Sequence, residues 1–213
     1  MDRDERFDVY IGSLEAELPG WLSALAQRAE ADGIPIVRKQ TRSLLRMLLA
    51  LKKPQRILEI GTAVGFSALF MSEYAPAECR ITTIEKYEKR IPAARENFRS
   101  AGRDGRIALL EGDAGEILPE LTERYDFIFM DGAKGQYIHF LPDVLRLLDT
   151  GGILVSDNVL QGGDILESRF AVTRRDRTIH ARMRAYLYEL KHNRELETVI
   201  LTAGDGTAVS VKI

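Results

Sequence analysis

The chain has 213 residues, of which 45% are hydrophobic and 29% are charged, as is typical of one soluble domain with a sizeable core. Its net charge of −2 excludes a strong overall attraction to nucleic acid, and its single cysteine, Cys79, excludes an internal disulfide framework and a cysteine zinc site. We expect a cytoplasmic protein without a membrane segment, because the sequence has no run of about 18 apolar residues and its charged start lacks the apolar core of a signal peptide.

The hydrophobic pattern predicts helices first and then an alternation of strands and helices. Apolar residues recur at helical spacing through residues 4–52, with a break at Asp32–Pro35. Strands are predicted near 56–60, 80–84, 106–111, 125–130 and 152–156, and helices over 65–75, 87–101, 114–122 and 136–148. Such an alternation predicts an α/β fold, a doubly wound Rossmann-like sheet that is mostly parallel with right-handed crossovers.

The C-terminal part departs from this alternation. Residues 173–194 are predicted to form one long basic helix. Residues 197–202 and 207–211 are predicted as two strands around Gly204-Asp205-Gly206, which form an antiparallel hairpin and bring the sheet to seven strands. We interpret 1–213 as a single domain, with 1–52 as a helical cap and 53–213 as the α/β core.

The turn after the first predicted strand has the features of a ligand site. The apolar run Ile57–Ile60 is followed by Gly61 and Gly65 and then by an apolar helix, which is how doubly wound sheets open their nucleotide sites. Glycine lets a ligand approach closely, and the first N–H groups of the helix face it. A dinucleotide site would have a third glycine. The negative charge of Glu59, just before the first glycine, would repel a pyrophosphate. It suits instead a ligand with a cationic amino group, such as S-adenosylmethionine (SAM).

An acid follows or ends each later strand of the alternating core: Glu85, Asp113, Asp131 and Asp157. The carboxyl ends of parallel strands meet at one rim of the sheet, where ligands bind. There Glu85 could accept both ribose hydroxyls of an adenosine, and Asp113 could accept from its adenine amino group. Each acid alone could equally be a helix N-cap, but their regularity favours a ligand site.

Three of the rim residues suggest a metal site. Asp131, Asp157 and Asn158 offer hard oxygen ligands from adjacent strand ends, which suits Mg²⁺. A cation with open positions could chelate two adjacent substrate oxygens and lower the pKa of a hydroxyl. Lys134, three residues beyond Asp131, could take the proton as general base, although a solvated loop is the usual place for a lysine.

These motifs resemble the metal-dependent class I O-methyltransferases of the catechol and caffeoyl-CoA type. The matching segments are Glu59-Ile-Gly-Thr-x-x-Gly-x-Ser67, Ile84-Glu85, Gly112-Asp113-Ala114, Asp131-x-x-Lys134 and Asp157-Asn158, and the resemblance runs from about residue 35 to the C-terminus. It implies a SAM methyltransferase domain whose cofactor site is formed by Val37, Glu59, Gly61, Ser67, Glu85, Asp113, Ala114 and Asp131. It also implies that Asp131, Asp157 and Asn158 bind the metal, and that Lys134 and Asp131 are catalytic.

Within that family, the chain is most similar to the bacterial tRNA 5-hydroxyuridine methyltransferases. The features that match are Ile34-Pro-Ile-Val37, Asp131-Gly-Ala-Lys-Gly-Gln-Tyr137, Asp157-Asn-Val-Leu160, Gly204-Asp-Gly206 and the cluster Arg174-Arg175-Asp176-Arg177. This resemblance implies methylation of the 5-hydroxyl of 5-hydroxyuridine at the tRNA wobble position, which gives 5-methoxyuridine. The substrate oxygens O5 and O4 are on adjacent carbons, as in a catechol. We accordingly expect the tRNA anticodon loop as partner, Mg²⁺ as metal and a homodimer.

The charge distribution gives independent support for an RNA partner. Residues 169–194 hold eight basic and two acidic residues, a net charge of +6 in a chain whose total is −2. A phosphate backbone would bind such a segment, with Arg174, Arg175, Arg177 and Arg182 as the candidate contacts. A charge run by itself more often forms a solvated helix face.

Three other functions compete with this hypothesis. A methyltransferase of small catechol-like or hydroxycinnamoyl substrates would explain the rim residues but not the basic segment. A catalytically idle SAM- or RNA-binding module is disfavoured because the metal and lysine positions are intact. A nicotinamide dehydrogenase is disfavoured because the third glycine is missing and the metal-binding residues would have no role.

Overall fold

The protein, described by a computed structural model over residues 3–168 and 170–213, begins with three helices. These are α1 (Arg3–Ser13), α2 (Gly20–Ala31) and α3 (Lys39–Lys52). The alternating core comprises β1 (Arg56–Ile60), α4 (Phe66–Tyr74), β2 (Arg80–Glu85), α5 (Ile91–Ser100), β3 (Ile107–Glu111), α6 (Ala114–Glu120), β4 (Tyr125–Met130), α7 (Tyr137–Leu147) and β5 (Leu148–Asp157). The chain ends with α8 (Arg177–His192), β6 (Leu196–Leu201) and β7 (Thr207–Lys212). Short 3-10 segments, Lys134–Gln136 and Gln161–Leu166, follow β4 and β5.

The seven strands form one sheet in the order β3-β2-β1-β4-β5-β7-β6. Strands β1 to β5 are parallel, whereas β7 pairs antiparallel with both β5 and β6. The strand order reverses between β1 and β4, and in open α/β sheets this switch point is where ligands bind. The predicted fold class, including the C-terminal antiparallel hairpin, is confirmed.

The core lies on both faces of the sheet, because neighbouring side chains of a strand point to opposite faces. Ile57 of β1 belongs to one apolar cluster, which helices α2 to α5 cover. Leu58, the next residue, belongs to a second cluster, which α6, α7 and α8 cover. Leu22 of α2 and Leu45 of α3 are fully buried in the first cluster, so the N-terminal helices contribute to the core.

Several element boundaries differ from the predicted ones. Helix α5 begins at Ile91 rather than near 87, since Pro92 in its first turn suits the start of a helix. Strand β5 begins at Leu148, where a shift in register accommodates the glycine pair 151–152. Helix α8 begins at Arg177 rather than 173, because residues 174–176 form a turn.

No helix within the described residues is long and apolar enough to cross a membrane.

Candidate active site

A cavity of about 1060 Å³ opens at the carboxyl ends of the parallel strands. Its lining includes the residues at or just beyond the ends of β1 to β5, as the alternating sequence pattern predicted. Binding pockets for one small molecule commonly measure about 300–1,000 Å³. This cavity is therefore large enough for a cofactor together with part of a second molecule.

The turn after β1 forms the floor of the cavity beside β4. Gly61 has a φ of 101°, and a Cβ atom at this position would lie 2.8 Å from the backbone oxygen of Asp131. Gly65 has a φ of 85° and immediately precedes α4, where a side chain would collide with Phe98. Both positions therefore require glycine, and the turn presents backbone rather than side chains to a ligand.

Glu59 lies beneath this turn and not among the residues that line the cavity. It is fully buried on the same strand face as Ile57, where Oε2 accepts from the Thr83 hydroxyl and the carboxylate also bonds Ser67. Burial raises the pKa of Glu59 to about 7, against the opposing effect of these two hydroxyls. Oε1 has no hydrogen-bond partner among the described atoms. Ser67, which bonds the Glu59 carboxylate, does line the cavity.

The Glu85 carboxylate projects into the cavity from the end of β2. Its Oε2 accepts from the backbone N–H of Ala63 at 2.7 Å, and its Oε1 accepts from that of Tyr87 at 2.8 Å. The two bonds fix the side chain and leave one further acceptor position on each oxygen. This is the arrangement needed to accept a pair of neighbouring hydroxyls, as predicted for a ribose.

Asp113 follows β3 and has two roles in the structure. It caps α6, with Oδ1 accepting from Gly115 N–H at 2.8 Å, and Oδ2 forms an exposed ion pair with Lys86 at 3.1 Å. The Gly115 bond and then Lys86 hold the pKa of Asp113 below its ordinary value. Its side chain nevertheless lines the cavity, so capping does not exclude a ligand contact.

The structure also places the remaining predicted cofactor residues at this cavity: Val37, Ser67, Ala114 and Asp131. Val37 is buried just before α3, and Ala114 is the first residue of α6, where N–H groups are unpaired within the helix. Of the eight predicted residues, only Glu59 is not part of the lining.

The predicted metal-binding residues lie together at the ends of β4 and β5. Asn158, which has a φ of 59°, donates from Nδ2 to Asp131 Oδ1 at 2.9 Å. Burial, then the charge of Asp157 and then that of Glu59 raise the pKa of Asp131 to about 8. Burial likewise raises the pKa of Asp157. Bringing two buried carboxylates this close is unfavourable unless a proton or a cation neutralises them.

Asp157 is also fixed in direction. Its Oδ1 accepts from the hydroxyl of Thr41 at 3.2 Å and from that of Thr207 at 3.1 Å. These bonds come from α3 and β7, and the backbone N–H of Asn158 also bonds the Asp157 carboxylate.

These residues fit a hard divalent cation. Nowhere in the described part of the chain do three or more His, Cys, Asp or Glu side chains converge on a metal position. A cation would instead use the carboxylates of Asp131 and Asp157 and the amide oxygen of Asn158, an all-oxygen set that suits Mg²⁺. The amide would have to turn, because Nδ2 now faces Asp131.

Lys134 lines the cavity from the loop after β4, and its side chain is 39% exposed. Its Nζ lies 3.9 Å from Oδ2 of Asp205, in the turn between β6 and β7. Asp205 was not predicted as a site residue, although Gly204-Asp-Gly206 was part of the resemblance. The only signal in the sequence was a lone acid in a hairpin turn, which is common in turns of any function.

The basic segment reaches the cavity at one of its four predicted contact residues. Arg182 of α8 lines the cavity and donates from Nη1 to the Gly135 oxygen at 3.1 Å. Arg174 and Arg175 are exposed in the turn before α8, and Arg177 is half-buried at the start of the helix. These three are not in the cavity lining, and Arg169, counted in the basic segment, lies outside the described residues. The segment thus flanks the mouth of the cavity.

Comparison with known proteins gives one consistent group of relatives. A family model described as O-methyltransferase matches residues 21–213. A catechol O-methyltransferase of Niastella koreensis is 33% identical over 170 residues, 76% of each chain. A catechol O-methyltransferase of Mycobacterium tuberculosis is 32% identical over 163 residues, 75% of this chain and 74% of the relative. The crystal structure of the Streptomyces achromogenes O-methyltransferase TomG in complex with SAM has a TM-score of 0.85, with 26% identity over 100% of this chain and 99% of that one.

Proposed function

Because the chain belongs to the O-methyltransferase family, we propose that it is the member that methylates the 5-hydroxyl of 5-hydroxyuridine at the tRNA wobble position. At the coarser level it is a SAM-dependent O-methyltransferase of the catechol and caffeoyl-CoA type. The proposal concerns the substrate, the metal and the roles of individual residues.

The cofactor end of the cavity would hold SAM. Glu85, fixed by two backbone N–H groups, would accept the ribose hydroxyls, and the turn at Gly61 would face the methionine part of the molecule. SAM supplies the methyl group. The side chains of this chain would orient it, and Asp113 and Ala114, which line the cavity, would border the adenine.

The substrate end would hold two adjacent oxygens of a planar ring. Asp131, Asp157 and Asn158 would bind Mg²⁺ there, and a cation in that position lowers the pKa of a substrate hydroxyl. Lys134 would take the proton of that hydroxyl and become an ammonium ion. The substrate oxygen would then accept the methyl group, and SAM would be left as the neutral thioether S-adenosylhomocysteine.

The observation that carries the tRNA substrate is the position of the basic segment. Arg182 lines the cavity itself, and the exposed Arg174 and Arg175 precede the same helix. No acidic side chain among the described residues forms an ion pair with either of these two exposed arginines. Unpaired positive charge beside a cavity mouth favours a polyanionic substrate.

A small catechol-like or hydroxycinnamoyl substrate is the second candidate. The names of the curated relatives favour it, since both are catechol O-methyltransferases. It would use the same metal and lysine but would give the basic segment no role.

The two substrates are separated by a direct comparison. Purified enzyme with SAM and Mg²⁺ is offered either tRNA that contains 5-hydroxyuridine or catechol, and products are measured by nucleoside and small-molecule mass spectrometry. We expect a higher kcat/KM on tRNA, with 5-methoxyuridine as the product. Methylation of catechol with none on tRNA would contradict the proposal and leave the small-molecule function.

We also propose a homodimer. Large apolar side chains are exposed on two N-terminal helices, Val9 and Tyr10 on α1 and Met47 and Leu51 on α3. The proposal is that these side chains form one contiguous apolar surface in contact with a second copy, since contiguous exposed apolar patches mark protein contacts. Light scattering coupled to size-exclusion chromatography would decide, since a mass of 24.0 kDa would identify a monomer.

A further inference from the structure

The turn between β6 and β7 is packed tightly against the metal-binding end of the sheet. Gly204 and Gly206 have φ values of 65° and 80°. A Cβ atom at Gly204 would lie 2.7 Å from Thr41 Oγ1, and one at Gly206 would collide with the Leu160 side chain. Neither position has room for a side chain, so the turn lies in direct contact with the residues around Asp157.

Backbone hydrogen bonds join this turn to the loop after β5. Val159 N–H donates to the Gly206 oxygen at 2.9 Å, and Leu160 N–H donates to the Asp205 oxygen at 3.0 Å. Gly206 N–H closes the turn on the Ala203 oxygen at 3.1 Å. The path of the turn is therefore set by backbone bonds and glycine packing, without any need for the side chain of Asp205.

The Asp205 side chain instead connects two loops that line the cavity. Oδ1 accepts from the backbone N–H of Gly162, in the loop after β5. Oδ2 lies 3.9 Å from Nζ of Lys134, in the loop after β4. The Asp205 side chain is only 12% exposed, and a carboxylate that has lost most of its water needs partners of this kind.

Lys134 has other carboxylates near it, but their functions differ. Its charge acts on both Asp131 and Asp157, the residues assigned to the cation. With a divalent cation bound, those two carboxylates are neutralised. Asp205 is not among the proposed metal-binding residues, so a cation bound there would leave the Asp205 carboxylate available to Lys134.

We propose that Asp205 is a positioning residue for methyl transfer, which holds Lys134 at the substrate end of the cavity and stabilises the ammonium ion that forms when Lys134 takes the substrate proton. This inference rests on the base role of Lys134 given above. A simpler possibility is that Asp205 only stabilises the loop after β5 through Gly162.

Two substitutions separate these roles. Asp205→Asn keeps an oxygen that can accept from Gly162 N–H but removes the negative charge beside Lys134. Asp205→Ala removes both interactions. Asp149→Asn is the matched control, because Asp149 is also a partly buried aspartate in ion pairs, with Arg56 and Arg124, and does not line the cavity.

Three measurements are made on each variant: kcat and KM for SAM with 5-hydroxyuridine tRNA, hydrogen exchange of the peptide that contains Gly162, and the rate at which acetic anhydride labels Lys134. If the wild type does not methylate this tRNA, catechol is used instead, so failure of the tRNA proposal does not affect this test. The labelling is done without metal, SAM or substrate, and therefore reports on the side chains alone.

We expect Asp205→Asn to lower kcat at least tenfold while KM for SAM stays within twofold, because the cofactor end is untouched. Exchange at Gly162 should stay near the wild-type rate in Asp205→Asn and rise in Asp205→Ala. Labelling of Lys134 should become at least threefold faster in both variants, because the Asp205 carboxylate, which lies 3.9 Å from Nζ in the wild type, no longer restrains and shields the amine. Asp149→Asn should match the wild type in all three.

The proposal is overturned if Asp205→Asn keeps kcat within threefold of the wild type or leaves Lys134 labelling unchanged. Asp205 would then serve only to stabilise the loop after β5 through its bond with Gly162. Lys134→Met is included to test the premise. If Lys134→Met retains full activity, Lys134 is not the base, and both the proposed chemistry and this inference fail.

Discussion

The Glu85 carboxylate shows how single side chains are prepared for a ligand in this protein. Two backbone N–H groups, of Ala63 and Tyr87, each bond one of its oxygens and fix its direction. The remaining acceptor positions are available to hydroxyl groups. A ligand that buries its hydroxyls here needs this acceptor, because an unsatisfied buried hydroxyl costs about 1–3 kcal/mol.

Glu85→Ala is therefore expected to weaken SAM binding by about 1–3 kcal/mol, roughly 5- to 150-fold in Kd. Isothermal titration calorimetry measures this directly. Glu111→Ala is the control, since Glu111 ends the next strand but forms an exposed ion pair with Arg95 and does not line the cavity. Equal SAM affinity in the Glu85 variant and the control would remove Glu85 from the cofactor site.

Asp157 is the residue whose loss best tests the metal. Hydrogen bonds from Thr41 and Thr207 fix the carboxylate of Asp157. The negative charge of Asp157 raises the pKa of the neighbouring Asp131. We expect Asp157→Ala to lower methyl transfer at least 100-fold, a large effect because the variant removes one of the two carboxylates of the proposed cation site, and a cation there would lower the pKa of the substrate hydroxyl. SAM binding should persist within a few-fold.

Excess EDTA should inactivate the wild type to a similar extent, and added Mg²⁺ should restore it. Full activity in excess EDTA would show that methyl transfer does not depend on a metal. Inactivation of the variant with simultaneous loss of SAM binding would instead indicate a misfolded site.

Glu59 marks the limit of residue-level prediction from sequence. Its position before the first glycine identified the correct turn, but we expected contact with the ligand. In the structure it is buried behind the turn, on the strand face of Ile57. Whether the side chain of a residue at the end of a strand lies in the buried core or in the cavity depends on strand register and helix packing. The motif alone does not encode either of these.

At the scale of elements, α8 and the turn before it carry the positive charge on which the proposed tRNA substrate depends. The exposed arginines at 174 and 175 and the half-buried Arg177 flank the cavity mouth without entering it. Because these arginines are outside the cavity lining, they could contact a long polyanion but not a small ring held inside the cavity. Substitution there should separate the two candidate substrates.

The variant with Arg174, Arg175 and Arg177 replaced by Ala should bind tRNA more weakly and with less dependence on salt. Each neutralised phosphate contributes about 0.7–0.9 to the slope of log K against log salt, so three lost contacts should reduce that slope by about 2–3. SAM affinity and any methylation of catechol should be unchanged. Filter binding or fluorescence anisotropy over a salt series gives the slope.

A second triple variant, with three arginines removed elsewhere on the surface, is the control for the variant of the basic segment. Arg28, Arg80 and Arg99 are exposed and lie outside the basic segment, and their triple Ala variant should retain the wild-type slope. If both triple variants behave alike, the basic segment is a solvated face, and the small-molecule substrate becomes the better explanation.

For the molecule as a whole, the buried acids couple stability to pH. Burial raises the pKa of Glu59 from 4.5 to about 7 and that of Asp131 from 3.8 to about 8. Between the unfolded and folded values the folded state binds more protons, so the free energy of unfolding falls as pH rises through this range. The loss begins near pH 4–5 and is complete above about pH 8.

Protein free of metal and SAM should accordingly melt on the order of 5–10 °C lower at pH 8 than at pH 5.5, which corresponds to a few kcal/mol for a domain of this size. Differential scanning fluorimetry over a pH series measures the difference. Adding Mg²⁺ at pH 8 should recover part of it, since a ligand that binds only the folded state stabilises that state.

Glu59→Gln tests the assignment, because a neutral amide cannot ionise, and the dependence on pH should be smaller in that variant. A melting temperature that is level from pH 5.5 to 8 in the wild type would contradict the argument from burial.

Local patterns in the sequence determined the fold class, the strand-end acids and the glycine turn. Short apolar runs that alternate with helical segments indicate parallel strands. The carboxyl ends of parallel strands lie at one rim of the sheet whatever the exact packing of the helices. For this reason the order of strands and acids along the chain was enough to place Glu85, Asp113, Asp131, Asp157 and Asn158 at one site.

The tertiary structure alone decided the contacts that cross between distant segments. Thr41, Asp157 and Thr207 form one hydrogen-bonded group, and Asp205 joins Lys134 to Gly162, although long stretches of sequence separate these residues. Such contacts follow from β7 pairing with β5 and from α3 packing against β5. Strand order and helix docking are set by the burial of the whole core, so no local pattern could reveal them.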